Sequence, residues 1–424
     1  MEAALLVKTS VPEVFLMTPR YFFKTLLSSL FILVLFAAFS ACEKKNDGDS
    51  TNTGTGGKSA PVAGDTIKIG EYGALTGEKA TFGQSTKKGI ELAQEEVNKA
   101  GGILGKQIQI ILEDDRGAAQ EATTVVQKLI DKDKVVAVLG EVASTNSIAG
   151  GTVCQEKKVP MISPSSTNPD VTKDKDHVFR VCFLDSFQGE VMAKFAANTL
   201  KIKKVAILYD NGSDYSKGLQ EFFSQTFKKL GGEIVVTEAY KEKDSDFSAQ
   251  LTKIKGLNPE GIYVPGYYTE VAQIAQQARK LGLKVPLMGG DGWDSKVLFE
   301  IGKDAVNGCF LSNHYTIEDP DPDIQKFVTN FKAKYNETPD ALAALAYDAA
   351  KILFDSIKRA NSTERQAIRD AIAQTKDFKG VTGVITIGPD RNAVKSAVVL
   401  EIQDGKYKYR ETIKPDEAAS AATK

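Results

Sequence analysis

Residues 135–170 read VVAVLGEVASTNSIAGGTVCQEKKVPMISPSSTNPD, and their order decides the fold. Val135 to Leu139 is a continuous apolar run of strand length, broken by Gly140. Ser144-Thr145 then supplies the hydroxyl residues that open helices. Lys158-Val159-Pro160 leads into a second short apolar run, Met161-Ile162-Ser163, and a hydroxyl-rich loop, Ser165-Ser166-Thr167-Asn168. A strand, a glycine break and a helix opening on Ser/Thr present unpaired backbone N–H groups to an anion. In parallel α/β sheets the loops at these strand ends are where ligands bind.

The pattern occurs twice. Val136, Val138, Gly140, Lys158, Val159 and Pro160 recur 126 residues later as Ile262, Val264, Gly266, Lys284, Val285 and Pro286. The second copy ends in Gly289-Gly290-Asp291-Gly292-Trp293-Asp294, so one loop offers hydroxyls and the other carboxylates. Two similar α/β halves with polar loops of opposite character suit a two-lobed protein that closes on a zwitterion.

The 424 residues are 42% hydrophobic and 26% charged, enough for two domains with sizeable cores. A net charge of −1 gives no basic surplus for nucleic acid. Two histidines and four cysteines, with no Cys-x-x-Cys or His-Glu-x-x-His, point to no metal site and no cofactor. Gly70, Gly73 and Gly77 do not form a dinucleotide fingerprint, and no nucleophile–base pair is evident, so the chain reads as no enzyme.

At the N-terminus, Arg20 and Lys24 flank an apolar stretch from Leu26 to Phe39, followed by Ser40-Ala41-Cys42. The run is too short to argue for a permanent span and reads as a processing segment, with Met17 as an alternative start. Glu43 to Gly64 is rich in Gly, Ser, Thr, Asn and Lys, a flexible tether of roughly 25 Å root-mean-square reach. Cys154, Cys182 and Cys309 read as buried thiols without a disulfide.

From Thr66 the chain alternates strands and helices, as expected for parallel sheets covered on both faces. Beyond Leu311 it turns helical from about Asp323 to Thr375 and closes on short strands at Val384–Ile387 and Ala397–Ile402. Late helices after a second α/β half suggest a return to the first lobe.

From about Thr66 to Tyr409 the chain resembles the leucine/isoleucine/valine-binding proteins of bacterial amino-acid ABC transporters. The matching segments are Ile69 to Phe82-Gly83, Gly101-Gly102-Ile103, Met161-Ile162-Ser163-Pro164 with Thr167-Asn168-Pro169, Asp185-Ser186-Phe187-Gln188-Gly189, Asp246-Phe247-Ser248 and Gly266-Tyr267-Tyr268. The resemblance implies the type I periplasmic binding protein fold: two Rossmann-like lobes with parallel sheets, joined by a three-strand hinge. The residues divide into a signal peptide (1–41), a lipidated Cys42 and tether (42–65), a first lobe (66–184), a second lobe (185–313), a return to the first (314–382), a return to the second (383–413) and a loose tail (414–424). Small residues before Cys42 resemble a lipobox, with Phe39 where Leu is usual, which implies a lipid anchor on the outer side of a bacterial membrane.

Carried over by position, Ser144 and Thr167 match hydroxyl residues that hold a ligand's α-carboxylate and share in binding its ammonium, with backbone groups of Ser165 and Ser166 nearby. Tyr215 and Tyr267 match aromatics from the second lobe, Phe82 a wall of the side-chain pocket, and Asp291 a glutamate that pairs with the ammonium. Each has a plainer use: Ser144 as a helix cap, Asp291 in an Asx-turn, the tyrosines and Phe82 in packing. Trp293, the single tryptophan, lines the pocket or packs at its rim. Arg116 and Ala143 replace the disulfide cysteines of the leucine-binding members. The expected protein is a monomer that captures an amino acid, branched-chain or other aliphatic, and hands it to an ABC permease. The alternative is a sensory lipoprotein feeding a signalling receptor.

Overall fold

The computed structural model describes residues 66–415. The signal peptide, Cys42, the tether and residues from 416 onward lie outside the described residues.

The first lobe is built from β1 (Ile67–Gly73), α1 (Ala80–Lys99), β2 (Ile108–Asp114), α2 (Ala119–Asp131), β3 (Ala137–Leu139), α3 (Ser144–Glu156), β4 (Met161–Ser163) and β5 (Val178–Arg180). Its five strands are parallel, in the order β2-β1-β3-β4-β5. The second lobe repeats this with α4 (Asp185–Lys194), β6 (Lys204–Asp210), α5 (Asp214–Lys229), β7 (Glu233–Tyr240), α6 (Ser248–Gly256), β8 (Gly261–Tyr263), α7 (Tyr268–Lys280), β9 (Leu287–Gly289), α8 (Lys296–Gly302) and β10 (Phe310–Asn313). Its parallel order is β7-β6-β8-β9-β10, the same topology again. The bounds of β9 are those of β4 shifted by the 126 residues seen in the sequence. β3, β4, β8 and β9 are buried along their whole length, because helices cover both faces of a parallel sheet.

After β10 the chain returns to the first lobe. α9 (Pro322–Tyr335), α10 (Ala341–Ala360) and α11 (Arg365–Ala373) follow, with α10 laid against α1. The Ala-rich face of α10 and Gly89 of α1 permit a close approach: a Cβ at Gly89 would overlap the Ala343 carbonyl. A small antiparallel sheet comes next, formed by β11 (Phe378–Gly380), β12 (Gly383–Ile387) and β13 (Ala393–Val394). Finally β14 (Ala397–Gln403) and β15 (Lys406–Ile413) join the second sheet antiparallel, beside β10.

One boundary differs from expectation. The sequence places residues 383–394 in the second lobe, yet Ile385, Ile387 and Ala393 are buried in the same core as Ile67, Ile69 and Leu345. Thr172 and Asn392 are also hydrogen-bonded, at 2.9 Å. The last crossing therefore falls between Val394 and Ala397. The three crossings lie near 181–184, 314–318 and 395–396. Cys154, Cys182 and Cys309 are free and buried.

Candidate ligand-binding site

In a 2-1-3-4-5 sheet the crevice opens where the strand order reverses, beside the first and third strands. Both lobes aim that crevice at each other. Phe82 follows β1, Ser144 opens α3 after β3, and Ser165–Asn168 follows β4. From the opposite lobe Tyr215 follows β6, Tyr267 follows β8 and Asp291 follows β9.

These loops close around a small cavity lined by Phe82, Val142, Ser165, Tyr215, Tyr267, Asp291, Gly292 and Leu342. Five of the eight expected residues thus share one wall. Ser144, Ser166 and Thr167 do not line it. The Ser144 hydroxyl oxygen accepts the Asn168 N–H at 3.2 Å, tying the helix start to the neighbouring loop. Ser144 is not the helix cap, because it is the first helical residue and Ala143 precedes it.

Ser166 departs from expectation. Its N–H donates to Ser163 Oγ, its hydroxyl donates toward the Glu141 and Val142 carbonyls, and its own carbonyl accepts from Arg180. Every polar group of Ser166 is spent inside the first lobe. Ser165 and Thr167, by contrast, carry buried hydroxyls without a hydrogen-bond partner. Thr167 sits beside Asp185, whose carboxyl is pushed well above the usual range by burial.

Arg180 lies behind the loop, fully buried. Its guanidinium donates to the carbonyls of Ser166 (2.6 Å) and Asn168 (2.8 Å) and to Thr172 Oγ1 (3.2 Å). Arg180 fixes the loop's course and places a positive charge behind it. The N-terminal end of α3 adds a dipole of the same sign.

Asp291 is the opposite pole. It is buried, and Oδ1 accepts from Gln188 Nε2 (2.7 Å) and from the Tyr215 hydroxyl (2.8 Å). Its other oxygen, Oδ2, lies 2.9 Å from His314 Nε2. The Tyr215 hydroxyl also accepts the Gly292 N–H at 3.0 Å. Burial, then the neighbouring Asp291, hold the Tyr215 hydroxyl well above its usual pKa, so it stays a donor. A Cβ at Gly290 would crowd Gln188 Oε1 and the Tyr215 hydroxyl, so this loop can reach its place only without a side chain there.

The aromatic wall is shared between lobes. Tyr215 and Tyr267 stack at 5.2 Å, while Phe82 meets Tyr267 edge-on at 5.8 Å and Tyr268 at 4.9 Å. Around the rim, polar contacts also cross between lobes. Tyr268 donates to the Glu78 carbonyl (2.7 Å), Asn168 Nδ2 to the Asp214 carbonyl (2.7 Å), and Lys79 pairs with Glu242 (2.5 Å). Trp293 lies elsewhere. Its indole is buried in the second lobe's core and donates to the Val264 carbonyl at 3.0 Å, so it lines neither pocket nor rim.

His314 reads from the sequence only as a residue near a hinge, and Gln188 and Arg180 carry no reading as site residues. Gln188 stands within Asp185–Gly189, a segment noted only for its resemblance; nothing local ties His314 to Asp291 or Arg180 to the Ser166–Asn168 loop, since those partners are distant in the chain. Among the described residues no group of His, Cys, Asp and Glu could hold a metal ion.

Two lobes of matching topology whose strand-end loops meet around a shared cavity define a bilobal solute-binding protein. The periplasmic binding protein family model matches residues 66–406, and the chain belongs to that family. It is 34% identical to the Leu/Ile/Val-binding protein BraC3 of Rhizobium johnstonii, over 78% of this chain and 89% of the relative. It is 31% identical to the leucine-, isoleucine-, valine-, threonine- and alanine-binding protein of Pseudomonas aeruginosa, over 76% and 86%. Among solved structures, the leucine-binding protein LivK of Thermotoga maritima superposes with a TM-score of 0.80 at 41% identity, covering 83% of this chain and all of that one. The branched-chain amino acid transporter substrate-binding protein LivJ of Streptococcus pneumoniae, in complex with isoleucine, gives 0.79 at 37% with the same coverage.

Proposed function

We propose that this chain captures an amino acid with an aliphatic, branched side chain between its lobes and delivers it to an ABC transporter permease. The observation that carries the reading is one cavity walled by Ser165 from the first lobe and Asp291 from the second. A zwitterion bridges them. Its carboxylate faces Ser165, with Thr167, Ser144, the α3 terminus and Arg180 behind it. Its ammonium donates a charge-assisted hydrogen bond to the free side of Asp291. Phe82, Val142 and Leu342 supply apolar surface for the side chain.

Ligand that touches both lobes favours the closed arrangement by its differential affinity for it, and closure is the signal a permease reads. The relatives named for leucine, isoleucine and valine support the ligand class. Lipid attachment at Cys42 would hold the domain outside the membrane on its tether. Calorimetric titration with leucine, isoleucine, valine, alanine, phenylalanine and glutamate tests the reading. An aliphatic member binds tightest; no heat with any of the six would refute it.

A further inference from the structure

We propose that His314 is a positioning residue that couples Asp291, and through it the bound ammonium, to the hinge. The inference rests on the amino-acid reading above and deepens it.

Asp291 is held by three donors from three different elements. Gln188 and Tyr215 come from α4 and α5 of its own lobe. The third, His314, is the first residue beyond β10, on the crossing segment itself. Its ring stacks on Phe183 of the first crossing, with centroids 3.8 Å apart and planes 20° from parallel. Two of the three crossings therefore meet at this imidazole, and its Nε2 ends on the ligand-facing carboxylate. Rotation about the hinge must slide the stack or stretch the Nε2–Oδ2 contact.

The hydrogen bonding also fixes the charge. Nδ1 is buried without a partner, so the proton belongs on Nε2, where it donates to Asp291. A neutral donor leaves Asp291 with its full negative charge for the ligand's ammonium. Burial favours this neutral form, against the pull of Asp291. Gln188, Tyr215 and neutral His314 together orient the carboxylate without neutralising it. An ammonium bound at the remaining lone pair holds the carboxylate in the place where His314 Nε2 reaches it, and the ring stacked on Phe183 carries that constraint to the first crossing.

The test uses the full chain and isoleucine as probe, with calorimetric affinity and the ligand-induced change in radius of gyration as readouts. His314→Phe keeps an aromatic ring on Phe183 but removes the donor. His314→Gln retains an amide donor of similar reach. Phe183→Leu keeps the donor and removes the stack. The coupling predicts at least tenfold weaker binding and reduced compaction for His314→Phe, with His314→Gln within about threefold of the parent. Phe183→Leu should bind with near-parental enthalpy yet compact less. Wild-type affinity in His314→Phe, or equal losses in the Phe and Gln variants at unchanged melting temperature, would overturn the proposal. If His314→Phe does not fold, the Phe183→Leu comparison decides alone: full compaction overturns it. A parent chain that binds no aliphatic amino acid sinks the functional reading and this proposal together. A parent that binds, with loss in Asp291→Asn but none in His314→Phe, sinks only this one.

Discussion

Replacing Asp291 by asparagine isolates the charge at the ammonium pole. Asparagine keeps the shape, and its carbonyl can still accept from Gln188 and the Tyr215 hydroxyl at the Oδ1 position. Its amide would face His314 Nε2, which can shift its proton to the unpartnered Nδ1. Alanine would be a poorer probe, since it strands three buried donors at about 1–3 kcal/mol each. What asparagine removes is one charge-assisted hydrogen bond in a closed cleft, roughly 1.5–3 kcal/mol, plus Coulomb attraction bounded by about 4 kcal/mol at contact distance. A loss of about 2–4 kcal/mol corresponds to roughly 30- to 1,000-fold weaker binding. Isothermal titration of parent and variant with isoleucine measures it directly, and circular dichroism confirms the fold. A loss under threefold in a folded variant would refute the assignment of Asp291 to the ammonium.

Other substitutions probe the surrounding structure. Phe82→Ala removes a buried ring that packs on Tyr267 and Tyr268 of the facing lobe, so affinity should fall at least tenfold while melting of the ligand-free chain moves less than for a core truncation. Gly290→Ala places a methyl against Gln188 and Tyr215, and should weaken binding as much as losing one of those hydrogen bonds, about 1 kcal/mol or more, read by the same titration. Glu71 is a buried carboxyl raised to about 8 by burial and then by Glu91, outside the site. The folded chain keeps this proton up to that pH while the unfolded chain releases it near 4.5, so stability falls as pH rises through the interval. Glu71→Gln should abolish that slope, so its melting temperature gains on the parent's as pH rises from 5 to 8; a parallel pH profile in parent and variant would contradict it.

The twin halves were legible because strand-end loops carry local chemistry: a glycine break, hydroxyls after β4, a carboxylate after β9. The common spacing placed them at equivalent strand ends, and the structure sets five of the named residues around one cavity. What was hidden depends on distance along the chain. Gln188 and Asp291 are 103 residues apart, and nothing near Arg180 announces that its guanidinium will catch the carbonyls of Ser166 and Asn168. Trp293 was legible as a neighbour of Asp291 but not in direction, because a tight turn can point adjacent side chains oppositely. Gly289 makes room for its indole, since a Cβ there would overlap the ring. The short strands at 383–394 show the same limit: alternation predicts a strand without saying which sheet's core receives it.

The central claim is that both charged ends of a single amino acid are needed to hold the lobes together. Leucine, leucinamide and 4-methylpentanoate present the same side chain with both charges, only the ammonium, or only the carboxylate. Calorimetry across the three should show binding by leucine and at least hundredfold weaker binding by each singly charged analogue. Comparable affinity for leucine and either analogue would contradict the account.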